Sequence, residues 1–397
     1  SNTIEKIGKG SFYNCSSVES IIIPDSVTSI GTEAFAYCGL LTIKIPDLCT
    51  SILYGTFCFC SNMTSIQLPK SVSYIGNRTF YYCTSLESIS ISGNITFIGD
   101  YTFSSCIKLK SVILPNSITS IGESSFYQCN SLQSFSIPSS VTSIGITAFY
   151  SCNNLPSAII PDGVKTIEYG TFSNCFNLKS IKLPNSISEI KGYSFYSCYS
   201  LTSIEIPKGI QKIESNTFYC CSGLKSFIIP DSVVTIGEKS FYNCSSLLSV
   251  SIPNSVTTIQ DEAFDFCKSL ASVDIPNSVT TISKYAFSSC SSLKSIYIPD
   301  SVTTIGRVAF CHCTSLKSIN IPKSVTFVGE IAFADCKSIE SALIQAPLSN
   351  FQSNAFRDAF NFATITFDAE IDTLTKDFIS NAGSIKTIIF EHKVNMI

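Results

Sequence analysis

The sequence predicts a mainly β repeat solenoid, and three periodic features lead to that fold class. Phenylalanine recurs every 23 residues from Phe12 to Phe356, apart from one step of 22 between Phe35 and Phe57. A cysteine follows three residues after each of these phenylalanines as far as Cys336, and a proline precedes most of them by eleven residues. A repeat this short cannot bury its own apolar face, so its copies are expected to stack into coils around a shared core.

The first element of each coil is predicted to be a short β-strand. In one representative coil, Leu109, Val112 and Leu114 show the spacing and final alternation of a half-buried strand. Pro115 lacks a backbone N–H and is expected just past the strand, where the chain turns. Each strand is expected to pair in parallel with its copies in the coils before and after.

A second extended piece and a turn complete the coil. Ile118 and Ile121 are expected to point inward from a second short strand. Phe126 and Cys129 then follow at a spacing that suits one short helical turn, which would bury the aromatic ring. The single 22-residue step omits one residue before Leu40, so that corner is expected to be tighter than the others.

Composition favours a folded chain and excludes two classes of partner. Hydrophobic residues make up 45% of the sequence and charged residues 14%, which supplies a long apolar core. The net charge of -3 gives no basic footprint for nucleic acid, and no apolar run approaches the roughly 18 residues of a membrane span. The chain opens within a repeat, which indicates an excised fragment. Any signal peptide or membrane anchor is therefore expected outside it.

The 19 cysteines are expected to be mostly reduced. Fifteen of them occupy one position per repeat, so each has a like neighbour on either side and no exclusive partner. Free cysteine behaves as a small buried hydrophobe, which favours a core stripe. Neighbouring coils about 4.8 Å apart would also permit scattered disulfides. Four cysteines lie off the row, at Cys49, Cys58, Cys220 and Cys311.

The repeat resembles a known family. The segment from Leu293 to Cys313 carries the pattern LxSIxIPxSVTxIGxxAFxxC, which is similar to the BspA-like (Treponema pallidum type) leucine-rich repeat. The resemblance implies a right-handed leucine-rich-repeat superhelix of 23-residue coils with a concave parallel sheet. It also implies a surface protein of a bacterium or protist, since many members of the class are associated with adhesion to host cells or matrix.

The sequence predicts two regions along the chain. Tandem BspA-like repeats extend over residues 1–345, and degenerate repeats over 346–397 are expected to form a C-terminal cap. The pattern departs where Gln345 replaces the proline and Ala359 replaces the cysteine.

Catalytic and metal sites are not expected. The chain has two histidines, His312 and His392, and no tryptophan. His312 stands between Cys311 and Cys313, but adjacent side chains in a turn are expected to diverge, and a second pair of metal ligands is missing. No phosphate-binding loop, metalloprotease motif or distinctive carboxylate pair occurs, so neither an enzyme nor a cofactor is predicted.

Two exposed rows are candidate binding surfaces, although each is also consistent with a solvated face or with rings that cover the next coil. The first comprises outward positions of the main strand, namely Lys179, Lys182, Glu205, Lys225, Ile228, Lys294 and Tyr297. The second follows the core phenylalanines, with tyrosines at Tyr196, Tyr219 and Tyr242. If the protein is secreted by a eukaryote, glycosylation sequons occur at Asn14, Asn62, Asn77, Asn94 and Asn243.

These observations lead to one functional hypothesis and one alternative. The resemblance implies a non-enzymatic binding protein at the cell surface or outside the cell, an adhesin whose partner is a protein or glycan of a host cell or the extracellular matrix. The residues by themselves indicate a repeat scaffold without catalytic equipment. An intracellular or secreted scaffold for protein–protein interactions therefore remains the alternative.

Overall fold

The computed structural model describes residues 4–359, 361–369 and 385–391 as a β-solenoid of short parallel strands. Contacts between residues divide the chain into two units, Ser1–Ser200 and Leu201–Ile397. Both units repeat the same coil, which consists of a first strand, a second strand and a corner segment that carries the core phenylalanine and cysteine. The predicted fold class, a mainly β repeat solenoid, is confirmed.

The first strands are two to four residues long. In the first unit the first strands are Thr42–Lys44, Ser65–Gln67, Ser88–Ser90, Ser111–Ile113, Ser134–Phe135, Ser157–Ile159 and Ser180–Lys182. In the second unit they are Ser226–Ile228, Ser249–Ser251, Ser272–Asp274, Ser295–Tyr297, Ser318–Ile321, Ser341–Ile344, Thr364–Phe367 and Thr387–Phe390.

The second strand spans two residues in every coil that has one. In the first unit the second strands are Lys6–Ile7, Ser29–Ile30, Ser51–Ile52, Tyr74–Ile75, Phe97–Ile98, Ser120–Ile121, Ser143–Ile144, Thr166–Ile167 and Glu189–Ile190. In the second unit they are Lys212–Ile213, Thr235–Ile236, Thr258–Ile259, Thr281–Ile282, Thr304–Ile305 and Phe327–Val328. Among the described residues the helical structure is limited to a 3-10 turn over Leu348–Asn350.

Strands of neighbouring coils pair in parallel and in the register of the repeat. Ile89 lies opposite Val112, 23 residues later, whereas Ile30 lies opposite Ile52 across the 22-residue step. The shortened coil turns at Gly39, where an added Cβ would lie 2.1 Å from the carbonyl oxygen of Ser16. Only glycine permits this approach of one coil to the next.

The core phenylalanines form a stacked ladder within each unit. Phe126 lies between Phe103 and Phe149, with ring centroids 5.3 Å away on both sides and nearly parallel planes. All three rings are fully buried. Truncation of a well-packed phenylalanine costs roughly 3 to 5 kcal/mol, so this ladder is a major source of stability.

The core cysteines form a second ladder with a polar function that the sequence analysis missed. The thiol of Cys129 donates a 3.1 Å hydrogen bond to the carbonyl oxygen of Phe103, in the preceding coil. Equivalent thiols make the same bond at 2.9 to 3.3 Å. Burial raises the pKa of Cys129 well above its usual value, so the thiol keeps its proton. The row is therefore a set of neutral donors within the core.

The predicted short helical turn at the corner is wrong. The corner is a run of consecutive turns, in which the residues two before and two after the core phenylalanine have positive φ. In one coil these residues are Ser124 and Gln128, with φ of 48° and 57°. Their N–H groups donate to Ile146 and Tyr150 of the next coil at 2.9 and 2.7 Å. Alternate N–H groups of the corner thus donate to the next coil, whereas Tyr127 and Cys129 donate within the corner to the residues three places before them.

The degenerate C-terminal repeats continue the parallel pairing. Thr364–Phe367 pairs with Ser341–Ile344 on one side and with Thr387–Phe390 on the other. A boundary at residue 345 and a capping role for 346–397 stay predictions. Part of that region, together with His392, lies outside the described residues.

Candidate binding surfaces

The outward face of the first strands, here called the strand face, is regular in one position and variable in another. Serine or threonine begins every first strand, and the central residue of each three-residue strand is buried while its flanks are mostly exposed. The residue two places after the serine varies from coil to coil. Register holds these variable side chains side by side, as Ile159 beside Lys182 and Asp274 beside Tyr297. The backbone therefore presents changing side chains at constant spacing.

All of the strand-face residues predicted from the sequence are exposed. In the first unit Lys179 directly precedes the first strand Ser180–Lys182, and Lys182 is its last residue. In the second unit Ile228 and Tyr297 are 76% and 59% exposed, so two large apolar side chains contact water. The remaining exposed residues in that unit are Glu205, Lys225 and Lys294. Glu205 belongs to a coil whose first strand is not formed. Their role in binding stays a prediction.

Three further residues of the variable position were missed. Ile22, Ile113 and Ile159 are 95%, 64% and 67% exposed. They occupy the position of Ile228 in their own coils, so alignment of the repeats would have found them. Charged residues one place before the serine pair across coils instead, as Lys110 with Glu87 at 2.9 Å.

The predicted tyrosine row is half-buried and packed along the coils. Tyr219 and Tyr242 stack at 4.7 Å with nearly parallel rings, and Tyr127 and Tyr150 do so at 4.8 Å. Tyr196 is also half-buried. Burial is the largest cause that raises the pKa of Tyr219 and of Tyr242, which keeps both phenols neutral. Most of this row thus covers the edge of the core, as the structural interpretation of the sequence proposed.

A buried carboxyl group continues the tyrosine row. Asp265 holds the position after the core phenylalanine Phe264 and is only 4% exposed. Its Oδ1 accepts a 2.9 Å hydrogen bond from the N–H of Phe266. Burial raises the pKa of Asp265 to about 7, although hydrogen bonds from Ser288 and Phe266 act in the opposite direction. This group changes charge near neutral pH.

Cys311 and His312 lie closer together than the sequence analysis expected. One donor atom from each of Cys311, His312 and Asp335 lies within 4.8 Å of the others. His312 and Asp335 occur 23 residues apart, both with positive φ, so the repeat places them on adjacent coils. Burial raises the pKa of Cys311 to about 12, so it is a protonated thiol rather than a nucleophile. Asp335 also lies 3.7 Å from the Lys337 ammonium, with which it forms an ion pair.

The structure separates the five sequon asparagines by exposure. Asn14, Asn62 and Asn94 are exposed. Asn77 is not available in the same way, because its side-chain amide donates to the carboxylate of Asp100 and accepts from the Asp100 N–H. Asn243 donates to the sulfur of Cys220 at 3.4 Å. Modification of the last two would disrupt contacts between coils.

The fold and its exposed strand face define a leucine-rich-repeat protein. A model of the BspA type leucine rich repeat region matches residues 1–110, 74–198, 165–294 and 280–397, which together span the sequence. The chain belongs to this family, which confirms the resemblance. The described residues contain no helix that is long and apolar enough to cross a membrane.

Two solved structures show how similar members are built. A leucine-rich repeat protein from Bacteroides ovatus is 33% identical with a TM-score of 0.78, over 89% of this chain and 92% of its own. A leucine rich cell surface protein from Faecalibacterium prausnitzii is 29% identical with a TM-score of 0.50, over 78% of this chain and 89% of its own. No protein with a curated description matches the chain.

Proposed function

We propose that this chain is the binding region of a non-enzymatic cell-surface protein, an adhesin that contacts a host-cell or matrix partner through the strand face. One observation carries the proposal: the variable position exposes isoleucine in four coils, by 64% to 95% of each residue. Three of these isoleucines, Ile22, Ile113 and Ile159, lie in the first unit and Ile228 lies in the second, and an exposed isoleucine offers a partner apolar area to bury.

The energetics of contact favour this face. Full burial of an isoleucine side chain contributes about 1.5 to 3 kcal/mol, so two or three of them would supply much of the free energy of a weak interface. In the first unit Lys182 lies directly beside Ile159 in the paired strands. The partner that fits this combination is a protein or glycan surface with both apolar and acidic groups.

Family membership and the cell-surface relative support the proposed location. An intracellular or secreted scaffold would use the same face on a different partner. Antibodies against the protein, applied to intact and to permeabilised source cells, distinguish the two. Labelling that requires permeabilisation would contradict the surface location.

Binding of the purified chain to a panel of matrix proteins and host cells tests the proposal. The double variant Ile113→Ser/Ile159→Ser should weaken the strongest interaction about tenfold or more, because two apolar contacts are lost. The matched control is Ile146→Ser, a 45% exposed isoleucine outside the strand face. Equal effects of the two substitutions, or no effect of either, would contradict a role for the strand face.

A further inference from the structure

The tyrosine row has a gap in the first unit. Tyr127 and Tyr150 stack in successive coils, but the next coil carries Ser173 at the same position, and Tyr196 follows in the coil after that. Because adjacent coils are about 4.8 Å apart, Tyr150 and Tyr196 are separated by roughly 10 Å. A serine side chain is too short to occupy the space of the missing ring.

The gap opens into a cleft of about 330 Å³. Four tyrosines and three small residues line it, namely Tyr150, Tyr169, Tyr193, Tyr196, Thr147, Gly170 and Ser173. The Tyr169 and Tyr193 ring centroids are 5.1 Å apart at an angle of 41°, and those of Tyr193 and Tyr196 are 5.5 Å apart. The volume lies at the lower end of the range for small-molecule sites.

Two of the small lining residues, Gly170 and Ser173, belong to the same coil, and both are buried. Gly170 has a φ of +62°, and an added Cβ there would lie 3.1 Å from Cγ2 of Thr147. The Phe172 coil alone combines glycine two places before the core phenylalanine with serine one place after it. The Ser104 coil, by contrast, has Tyr101 at the glycine position, and the Arg78 guanidinium covers that ring at 5.1 Å.

We propose that this cleft binds one sugar ring of a glycan, packed against the tyrosine rings that surround the buried Ser173. The C–H groups of a pyranose face pack favourably on the electron-rich faces of tyrosine rings, and the phenol hydroxyls can pair with the hydroxyls of the sugar. None of the seven lining residues is charged. A neutral ligand is compatible with this lining, and the competing ligand class is a quaternary ammonium ion, which aromatic faces also bind.

This site is distinct from the strand face, and neither proposal depends on the other. The residues of the cleft belong to the corner segments, which follow the second strands, whereas the strand face belongs to the first strands. A protein could bind a glycan here and a protein partner on the strand face, or use only one of them.

A glycan array followed by calorimetric titration of the strongest ligand tests the site. Ser173→Tyr should place a further ring in the cleft and reduce affinity more than tenfold, with circular dichroism to verify that the variant folds. Tyr169→Ala should reduce affinity about five- to tenfold, because it removes one exposed wall. Tyr54→Ala is the matched control, since Tyr54 occupies the same repeat position in another coil and is similarly exposed.

The proposal would be supported if a glycan bound to the unchanged protein and to Tyr54→Ala but only weakly to Ser173→Tyr and Tyr169→Ala. It would be overturned if no glycan bound, or if the cleft variants bound as well as the unchanged protein. Competition by tetramethylammonium at millimolar concentration would also overturn it, because the site would then recognise a cation. Strand-face variants such as Lys182→Glu should leave glycan affinity unchanged, which separates failure of this proposal from failure of the adhesin proposal.

Discussion

Within the same coil, the residues of the interior ladders are nearly constant from repeat to repeat, whereas those of the strand face vary. Core positions repeat almost without change, as Phe126 between Phe103 and Phe149 and its cysteine partner Cys129. The variable position of the strand face, a few residues away in sequence, changes from isoleucine to lysine, serine or aspartate.

This difference follows from the neighbours that each side chain contacts. An interior residue packs against copies of itself on both sides, so a substitution must suit two coils at once. An exposed residue contacts mainly water and can change without cost to its neighbours. Sequence variation within the chain therefore marks the surface that is free to acquire a binding function.

The largest expected effect is that of Phe126→Ala. The loss of its contacts with Phe103, Phe135 and Phe149 should destabilise the coils around it by about 3 to 5 kcal/mol. Hydrogen exchange should show lost protection in these coils while the second unit stays protected. Ile113→Ala, at an exposed position in the same coil, should change stability by less than about 0.5 kcal/mol. Similar exchange in the two variants would contradict the contrast between interior and face.

The next largest effect is expected at Asp265. In the folded chain the pKa of the Asp265 carboxyl group is about 7, whereas its ordinary value is 3.8. Below about pH 4 the group is protonated in both states and does not affect stability. As pH rises towards 7 only the unfolded chain releases the proton, so the free energy of unfolding falls, and it stays low above pH 7.

Asp265→Asn should remove this loss. The variant should be more stable than the unchanged protein at pH 8, on the order of 2 to 4 kcal/mol, and close to it near pH 4. Urea unfolding at the two pH values measures the difference. Asp274→Asn, an exposed aspartate on the strand face, is the matched control and should change little at either pH. A stability gain of equal size at both pH values would indicate that titration of Asp265 is not the cause.

A smaller effect is expected for the cysteine ladder. Cys129→Ala removes a thiol donor and leaves a small cavity, while the carbonyl of Phe103 keeps its bond from the N–H of Cys106. We expect a loss of about 1 to 2 kcal/mol, compared with little change for the exposed Ser134→Ala. Titration of the denatured chain without reductant should find most of the 19 thiols reactive. Blocked thiols would show that the row is oxidised.

The smallest effect on stability, and the clearest on binding, is expected on the strand face. Lys182→Glu/Lys225→Glu should weaken binding to an acidic partner and change stability by less than about 0.5 kcal/mol. Lys208→Glu, an exposed lysine outside the strand face, is the control. Tyr219→Ser/Tyr242→Ser should reduce stability more than binding, because these rings are stacked. If the tyrosine substitutions weaken binding more than the lysine substitutions do, the binding surface lies on the corner segments instead.

The candidate surfaces were only partly predictable. Ile228 was recognised from the repeat, and Ile113 and Ile159 carry the same signal at the same position. The cleft beside Ser173 could not be predicted from the sequence. It arises where one coil has serine in place of the tyrosine of its neighbours, and such a replacement forms no recognisable motif. The 23-residue period places Asp335 and His312 on adjacent coils, but only the conformation of the corner shows that their side chains lie close together.

The sequence by itself determined the period, the two strands of each coil and the rows of the core. These features depend on local apolar spacing that is copied many times, so the signal in one repeat reinforces that in the next. The tertiary structure decided the corner. Val308 and Ile331 adopt positive φ, a conformation that β-branched residues strongly disfavour, so no local preference predicts it. Their N–H groups donate to Glu330 and Ser353 of the next coil, and these bonds, which exist only after stacking, offset the local strain.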